Sequence, residues 1–218
     1  MPGRGRLPYD AILFDLDGVL TATARLHEAA WKKTFDEYLA ERAARTGERH
    51  APFSPQDYAR YLDGRIREDG VRAFLASRGI TLPEGAPDAP PEEESIHGLG
   101  NRKNEQIAAL IEPGSVEAFP GSVELVDAAR DLGLATAVVS ASTNCRPMLR
   151  AAGIEDRFQA VVDGVVAAER GLQGKPAPDT FLEAVRMLGG PPARAIVVED
   201  AIAGVRAGRA GGFGLTLG

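Results

Sequence analysis

The sequence predicts an α/β fold, in which a Rossmann-like parallel sheet carries an inserted α-helical cap, and three observations support this prediction. Short apolar runs alternate with helical patterns in the second half of the chain, which is typical of a parallel sheet with helices on both faces. Glycines follow the helical patterns where helices should end. A long, mostly helical stretch separates the first apolar run from the second. In such a sheet a ligand is expected outside the carboxyl ends of the strands.

Each element of the predicted core follows from one of these patterns. The strands are predicted at five apolar runs, residues 11–14, 134–139, 160–162, 195–198 and 213–217. The helices between them are predicted at residues 122–132, 146–152, 179–188 and 201–210. Gly133, Gly153 and Gly189 are the expected helix stops.

The stretch between the first two strands predicts a second domain. Its helical patterns cover residues 23–44, 54–62, 70–77 and 102–111, and its loops residues 46–52 and 83–95. The second loop is rich in Pro and Glu, so we expect it to be mobile. A helical insertion after the first strand is typical of a cap over an active site. We therefore expect a core of residues 1–22 and 113–218 and a helical cap of residues 23–112.

Composition limits the function classes. The 218-residue chain has a formal net charge of −6, which argues against nonspecific nucleic-acid binding, and 44% of its residues are hydrophobic. No run approaches the ~18 apolar residues of a membrane helix. We expect the basic residues 1–6 to be a flexible end and not a signal peptide. The single cysteine, Cys145, cannot form an internal disulfide, so we expect a cytoplasmic protein. The chain stops abruptly at Gly218, directly after its last apolar run, which is compatible with a missing C-terminal segment.

Two carboxylates end the first strand. Asp15 and Asp17 stand two residues apart, so an extended chain points both to the same side. Like charges held so close need a cation or a shared proton. The pair suits an enzyme that binds magnesium and uses one carboxylate as nucleophile and the other as acid/base. The alternative is a surface turn.

Polar residues also end later strands. Ser140 begins a run of hydroxyls and amides before a helix, which suits phosphate oxygens. Lys175 stands in a Pro-rich turn, where it could instead be a solvated loop residue. Glu199 and Asp200 follow the next strand and, with the first pair, offer the oxygen ligands that magnesium prefers. They could also cap the helix that follows.

These motifs, in this order, resemble the haloacid dehalogenase superfamily of phosphotransferases, and within it the β-phosphoglucomutase-like group. The closer similarity covers residues 15–31, 61–67, 101–104, 140–144 and 175–179. The sequence departs from the group at Ala201, where a serine is common, and at Asp63, where a lysine can occur. The departures bear on the choice of sugar.

The resemblance implies a role for each site residue. Asp15 would form an aspartyl-phosphate, and Asp17 would act as acid and base. Mg²⁺ would be held by Asp15, the backbone carbonyl of Asp17, Asp200 and, through water, Glu199. Ser140, the Ala141 N–H and Lys175 would hold the phosphoryl oxygens. The implied substrate-binding residues are Thr23, His27, Trp31, Gly64, Arg67, Lys103, Ser142 and Asn144.

Several of these residues have a second interpretation. His27 could gate cap closure near Asp17, or simply pack or bond at the start of its helix. Trp31 is better explained by packing between cap and core than by substrate contact. Arg67 and Lys103 are the expected cap contacts of a distal phosphate, although both could lie on a solvated helix face.

Three functions remain in competition. The leading hypothesis is a mutase that converts β-glucose 1-phosphate to glucose 6-phosphate through a bisphosphate. The second is a phosphatase of small sugar phosphates, in which water attacks the aspartyl-phosphate. The third is an inactive regulatory module. The expected partner is a small sugar phosphate, with no nucleic acid and no membrane, and the expected state is a monomer.

Overall fold

A computed structural model describes residues 7–112 and 114–218 of the chain. Its centre is a five-stranded sheet in which every neighbouring pair is parallel, in the order β3–β2–β1–β4–β5. The strands are β1 (Ala11–Phe14), β2 (Ala135–Val139), β3 (Ala160–Val162), β4 (Ala195–Val198) and β5 (Leu215–Leu217). β1 lies in the middle, so whatever follows it stands at the centre of the carboxyl edge.

The helices cover both faces of this sheet, which confirms the predicted α/β class. They are α1 (Ala24–Thr46), α2 (Pro55–Asp57), α3 (Arg67–Ser77), α4 (Ile96–Ala108), α5 (Pro120–Asp131), α6 (Cys145–Ala151), α7 (Gly164–Glu169), α8 (Asp179–Met187) and α9 (Ile202–Ala210). A π-helical segment, Tyr58–Leu62, continues α2, and 3₁₀ turns lie at Glu155–Arg157 and Pro192–Arg194.

The apolar residues of β1 explain the two-sided core. Because side chains alternate along a strand, Ile12 and Phe14 pack into the cluster that contains α5 and α6 residues. Ala11 and Leu13 pack into the opposite cluster, which includes Phe181 of α8. A strand buried on both faces is expected to be apolar throughout, as β1 is.

The helices between β1 and α5 have an apolar core of their own. Phe35 of α1 stacks on Trp31 with ring centroids 5.1 Å apart, and its ring lies 4.0 Å from that of Phe74 on α3. This third cluster also contains Leu99 of α4. We call residues 23–112 the insertion. Its bounds as a separate cap domain stay a prediction.

The element bounds differ from the prediction mainly inside the insertion. α4 begins at Ile96 and not at residue 102, because Ser95 caps it by accepting a hydrogen bond from the Gly98 N–H at 3.0 Å. The predicted helix 54–62 is divided into α2 and the π-helical segment. α7 was not predicted, since it has only six residues.

The Pro- and Glu-rich loop is a loop as predicted, but it is tied to its surroundings. The Asn101 side chain donates to the carbonyls of Pro87 and Ala89, and Arg45 pairs with Glu94 at 2.6 Å. Its expected mobility stays a prediction.

Two expected segments include residues that the structure does not describe, and a third expectation concerns the membrane. Residues 1–6, expected to be flexible, and residue 113, the expected start of the second core segment, lie outside the described residues. No helix in residues 7–112 and 114–218 is long and apolar enough to cross a membrane.

The insertion's apolar core predicts the effect of a truncation there. Phe74 is fully buried, so Phe74→Ala should lower the free energy of unfolding by about 3–5 kcal/mol. Urea unfolding followed by the fluorescence of Trp31, the chain's single tryptophan, measures this loss. Leu110→Ala is the control, since Leu110 is 54% exposed and its loss should stay within about 0.5 kcal/mol. Equal losses would contradict the insertion having its own core.

Candidate active site

A cavity of about 60 Å³ lies between the carboxyl edge of the sheet and the insertion. The core supplies residues that follow β1, β2 and β4, and the insertion supplies residues from α1, α4 and the stretch from Tyr58 to Arg67. Its lining comprises Asp15, Asp17, His27, Trp31, Tyr58, Leu62, Asp63, Gly64, Arg65, Arg67, Lys103, Asn104, Ser140, Ala141, Ser142, Thr143, Asp200 and Ala201.

A buried ammonium group joins three strands beneath this cavity. Lys175 Nζ donates to Asp15 Oδ1 at 2.5 Å, to the Val139 carbonyl at 3.1 Å and to Glu199 Oε1. These residues follow or end β1, β2 and β4. An ammonium group has three N–H donors, so all three are used. A direct bond from Lys175 to a phosphoryl oxygen, as predicted, would require one of these bonds to break.

Charge pairing decides the state of this group. Burial alone would lower the pKa of Lys175, but the carboxylates of Asp15 and Glu199 raise it above its ordinary value, so the ammonium is charged. Burial raises the pKa of Asp15 well above its usual value, and Lys175 opposes this shift. One positive charge thus faces two carboxylates here, and two further carboxylates, Asp17 and Asp200, line the cavity above.

Glu199 and Asp200 are placed differently although they are adjacent. Both oxygens of Glu199 are occupied, because Oε2 accepts a 2.9 Å hydrogen bond from the Ala201 N–H. Asp200 lies at the cavity, against Gly18: a Cβ on Gly18 would stand 1.9 Å from Asp200 Oδ2. Gly18 also has φ +87°, so a glycine is needed there on both grounds.

The carboxylates can accommodate a divalent cation. Asp15, Glu199 and Asp200 each offer one oxygen, and these oxygens lie within 4.8 Å of one another. Burial, followed by the nearby Asp63 and Glu199 carboxylates, raises the pKa of Asp200 to about 6. Carboxylates this close together repel one another, and a bound cation would relieve that repulsion. The oxygen donor set fits Mg²⁺.

The Asp17 carboxylate points toward the insertion, and its Oδ1 accepts from Thr23 Oγ1. His27 Nε2 lies 3.4 Å from the same oxygen, and His27 Nδ1 lies 2.7 Å from Lys103 Nζ. Burial lowers the pKa of His27 to about 4, so the ring is neutral near pH 7. When Lys103 donates to Nδ1, the ring proton is on Nε2 and faces Asp17.

The loop after β2 forms the opposite wall. Ser140 is buried, and its Oγ accepts from the Ser142 N–H at 3.1 Å. Ala141 lines the cavity, and its N–H has no protein acceptor among residues 7–112 and 114–218. Asn144 lies outside the lining and donates instead to Asn104 of α4, at 2.8 Å.

The segment between Leu62 and Arg67 reaches over the cavity from the insertion. The Arg67 guanidinium is held by Glu68 at 2.7 Å, whereas Arg65 has no ion-pair partner among the described residues. The Asp63 N–H donates to the Tyr58 carbonyl at 3.0 Å, and burial raises the pKa of the Asp63 carboxyl group. Sequence reasoning missed Arg65 and Tyr58, and it noticed Asp63 only as a departure, because nothing in the local pattern places these side chains at the cavity.

The structure brings most of the predicted site residues together. Asp15, Asp17, His27, Trp31, Gly64, Arg67, Lys103, Ser140, Ala141, Ser142 and Asp200 line the cavity. Lys175 and Glu199 lie directly beneath it, and Thr23 contacts Asp17 from outside the lining. Trp31 also belongs to the apolar cluster inside the insertion, whereas the packing interpretation placed it between cap and core. The chemical roles of these residues stay predictions.

Comparison with known proteins assigns the family. The model of haloacid dehalogenase-like hydrolases matches residues 9–212. A β-phosphoglucomutase from Mycobacterium bovis is 52% identical over 209 residues, which cover 95% of this chain and 80% of that protein.

Solved structures agree. A β-phosphoglucomutase from Clostridium difficile superposes with a TM-score of 0.73 at 25% identity, over 95% of this chain and 83% of that one. CbbY from Rhodobacter sphaeroides, in complex with phosphate, superposes with a TM-score of 0.67 at 27% identity, over 96% and 87%. The chain therefore belongs to the haloacid dehalogenase-like hydrolase family and is an enzyme of that family's phosphotransferase and phosphatase type.

Proposed function

We propose that the protein is a magnesium-dependent sugar phosphate mutase of the β-phosphoglucomutase type, which transfers the phosphoryl group through an aspartyl-phosphate on Asp15. The observation that carries this proposal is the buried Lys175, which holds one oxygen of Asp15 beside a cavity that Asp17 also lines. The name of the M. bovis relative supports the choice of reaction.

Asp15 would act as the nucleophile. Because Lys175 engages Oδ1, Oδ2 is the oxygen available to attack phosphorus on the side opposite the leaving oxygen. The P–O bond to the sugar breaks while the bond from phosphorus to Asp15 forms. Ser140 and the free Ala141 N–H would bind phosphoryl oxygens, which become more negative in the transition state.

Asp17 would move the proton. It would give a proton to the leaving sugar oxygen and take one back from the hydroxyl that later attacks the aspartyl-phosphate. Thr23 and His27 fix the direction of its carboxylate by contacting Oδ1, which leaves Oδ2 for the sugar oxygen.

Mg²⁺ would be held by Asp15, Asp200 and the Asp17 carbonyl, with Glu199 acting through water. When bound, it would offset negative charge on the transferring phosphoryl group. Glu199 suits an indirect role because both of its oxygens already bond to Lys175 and Ala201.

The insertion would serve as a mobile cap. The cavity of about 60 Å³ is far below the about 300 Å³ at which ordinary ligand pockets begin, so a sugar phosphate can enter only if insertion and core separate. Closing again would exclude water from the aspartyl-phosphate, which a mutase needs and a phosphatase does not.

A phosphatase of small sugar phosphates is the second candidate, and one observation favours it. Arg67, expected to bind the distal phosphate of a bisphosphate, is already paired with Glu68. If the Arg67–Glu68 pair persists with substrate bound, Arg67 binds the second phosphate less firmly. Hydrolysis of the aspartyl-phosphate is then favoured over transfer to the sugar. The third hypothesis, an inactive regulatory module, is not supported, because the relatives of this chain identify it as an enzyme.

A phosphorus NMR time course decides between these reactions. The enzyme is mixed with Mg²⁺, β-glucose 1-phosphate and a trace of β-glucose 1,6-bisphosphate. We expect the glucose 6-phosphate signal to grow with little inorganic phosphate, and to stop growing in excess EDTA. Asp15→Asn should abolish the conversion while its circular dichroism spectrum is unchanged. Growth of inorganic phosphate alone would make the protein a phosphatase, and substantial Asp15→Asn turnover would overturn the nucleophile.

Replacing Arg67 should lower activity toward sugar phosphates but not toward simple phosphate esters. Arg67→Ala should lower kcat/KM for the sugar phosphate about 10- to 100-fold, the loss of one charge-assisted hydrogen bond. Hydrolysis of p-nitrophenyl phosphate, which has no second phosphate or sugar, should change little. Arg72→Ala is the matched control, since Arg72 is on the same helix but pairs with exposed Asp69 and Glu84. Equal losses on both substrates would contradict a distal role for Arg67.

The ionisation of Lys103 should appear in the pH profile. Burial lowers its pKa to about 7, so Lys103 loses its positive charge as the pH rises through about 7. If Lys103 binds an anionic substrate, kcat/KM should fall along this alkaline limb. Lys103→Arg should flatten the limb because a guanidinium stays charged. Lys32→Arg, at an exposed position, should leave the profile unchanged. A limb that persists in Lys103→Arg would contradict the assignment.

A further inference from the structure

Two glycines mark where the insertion meets the core around the cavity. Gly64 belongs to the insertion, and a Cβ on it would stand 3.0 Å from the Cβ of Ala201. Gly174 belongs to the core, and a Cβ on it would stand 2.4 Å from Cγ1 and 2.6 Å from Cδ1 of Ile66. Each side of the contact therefore has a glycine where the other side approaches closely.

Gly174 is the more informative of the two. Gly64 has φ +69°, so its backbone alone favours glycine. Gly174 has no positive φ, so its φ does not by itself require glycine. What a side chain at position 174 would displace is the end of Ile66. The glycine at position 174 therefore leaves space for the Ile66 side chain.

The neighbours of the two residues belong to the active site. Gly174 directly precedes Lys175, the residue that holds Asp15. Ile66 directly precedes Arg67, and its carbonyl accepts the Gly70 N–H at 3.0 Å at the start of α3. The contact between residues 66 and 174 therefore connects the insertion's candidate phosphate-binding arginine to the core's buried lysine.

A small cavity lies beside this contact. It is lined by Ile66, Ser140, Ala141, Ala167, Gly174, Lys175 and Thr180, and its volume is about 10 Å³. A single water molecule needs about 10–15 Å³ of such space. With Ile66 in place, there is at most marginal room for water between the insertion and Lys175.

We propose that Ile66 is a positioning residue for phosphoryl transfer, and that Gly174 leaves the space in which Ile66 seats when the insertion closes. This proposal rests on the proposed function and assigns a residue pair that controls it. When the Ile66 side chain occupies this space, it closes the path of water on the Lys175 side of Asp15. It also fixes the start of α3, so that Arg67 faces the cavity. The pair therefore raises transfer to sugar relative to transfer to water.

A double-mutant cycle tests this pair. The wild type, Ile66→Ala, Gly174→Ala and the double variant are compared by the ratio of inorganic phosphate to glucose 6-phosphate released from β-glucose 1-phosphate with a trace of bisphosphate. Each single variant should raise this ratio about tenfold, the equivalent of about 1.4 kcal/mol. Ile66→Ala removes the seated side chain, and Gly174→Ala blocks its seat.

The double variant carries the decision. In an Ile66→Ala background the clashing Cγ1 and Cδ1 atoms are gone, and the remaining Ile66 Cβ lies 3.3 Å from the new methyl group. Adding Gly174→Ala should then change the ratio by at most about twofold, a strong departure from additivity. Independent tenfold effects that multiply in the double variant would overturn the proposal, as would single variants with the wild-type ratio.

Two controls separate this outcome from misfolding and from failure of the proposed function. Gly190→Ala, whose Cβ would meet only Val185 Cγ2 at 3.8 Å, should leave the ratio unchanged, and thermal unfolding of all variants should show them folded. If the wild type releases only inorganic phosphate, the mutase proposal fails. The cycle is then measured as kcat/KM for the sugar phosphate relative to p-nitrophenyl phosphate. The same non-additive pattern supports the pair, and additivity overturns it.

Discussion

The interaction on which the site depends is the buried bond set of Lys175. A charged ammonium group in the interior is costly unless its donors are all paired, and here the three partners come from the ends of β1, β2 and β4. The same bonds that satisfy the lysine therefore hold three adjacent strands in register at their carboxyl ends. They also orient Asp15. Structure and chemistry at this edge consequently cannot be varied independently: losing the lysine would leave two buried carboxylates, Asp15 and Glu199, without their counter-charge.

Charge balance explains why an acidic site can take an anionic substrate. Asp15, Asp17, Glu199 and Asp200 come from the core, and Asp63 adds a fifth carboxylate from the insertion. Lys175 bonds directly to two of them, and Lys103, Arg65 and Arg67 line the same cavity. Burial is the largest cause that raises the pKa values of Asp15, Asp63 and Asp200, and neighbouring carboxylates raise them further. A phosphate would add further negative charge, so a divalent cation and substrate are expected to bind more favourably together than either does alone.

The sequence predicted the core well because its signals are local. Asp15, Ser140 and Asp200 each follow an apolar run, and parallel strands bring such positions to one edge. The insertion was predicted less well. The predicted helix began at residue 102, so the first turns of α4 were missed. Gly98 is required in them, because a Cβ there would stand 2.2 Å from the Glu93 carbonyl oxygen. The positions of Arg65 and Ile66 depend on how two separately packed units meet, which no pattern along the chain encodes.

The choice between mutase and phosphatase depends on that meeting surface. In the proposed mechanism the core chemistry is the same for both, since Asp15 and Asp17 would serve an incoming sugar hydroxyl or water equally. What differs is which nucleophile is present when the aspartyl-phosphate forms. Under the proposed function, contacts from the insertion would retain a sugar, and the fit between insertion and core would exclude water. Both depend on a few residues between Leu62 and Arg67, where Gly64 approaches Ala201 and Ile66 approaches Gly174. Substitutions on this short segment can therefore shift the outcome of the reaction without altering the residues that perform it.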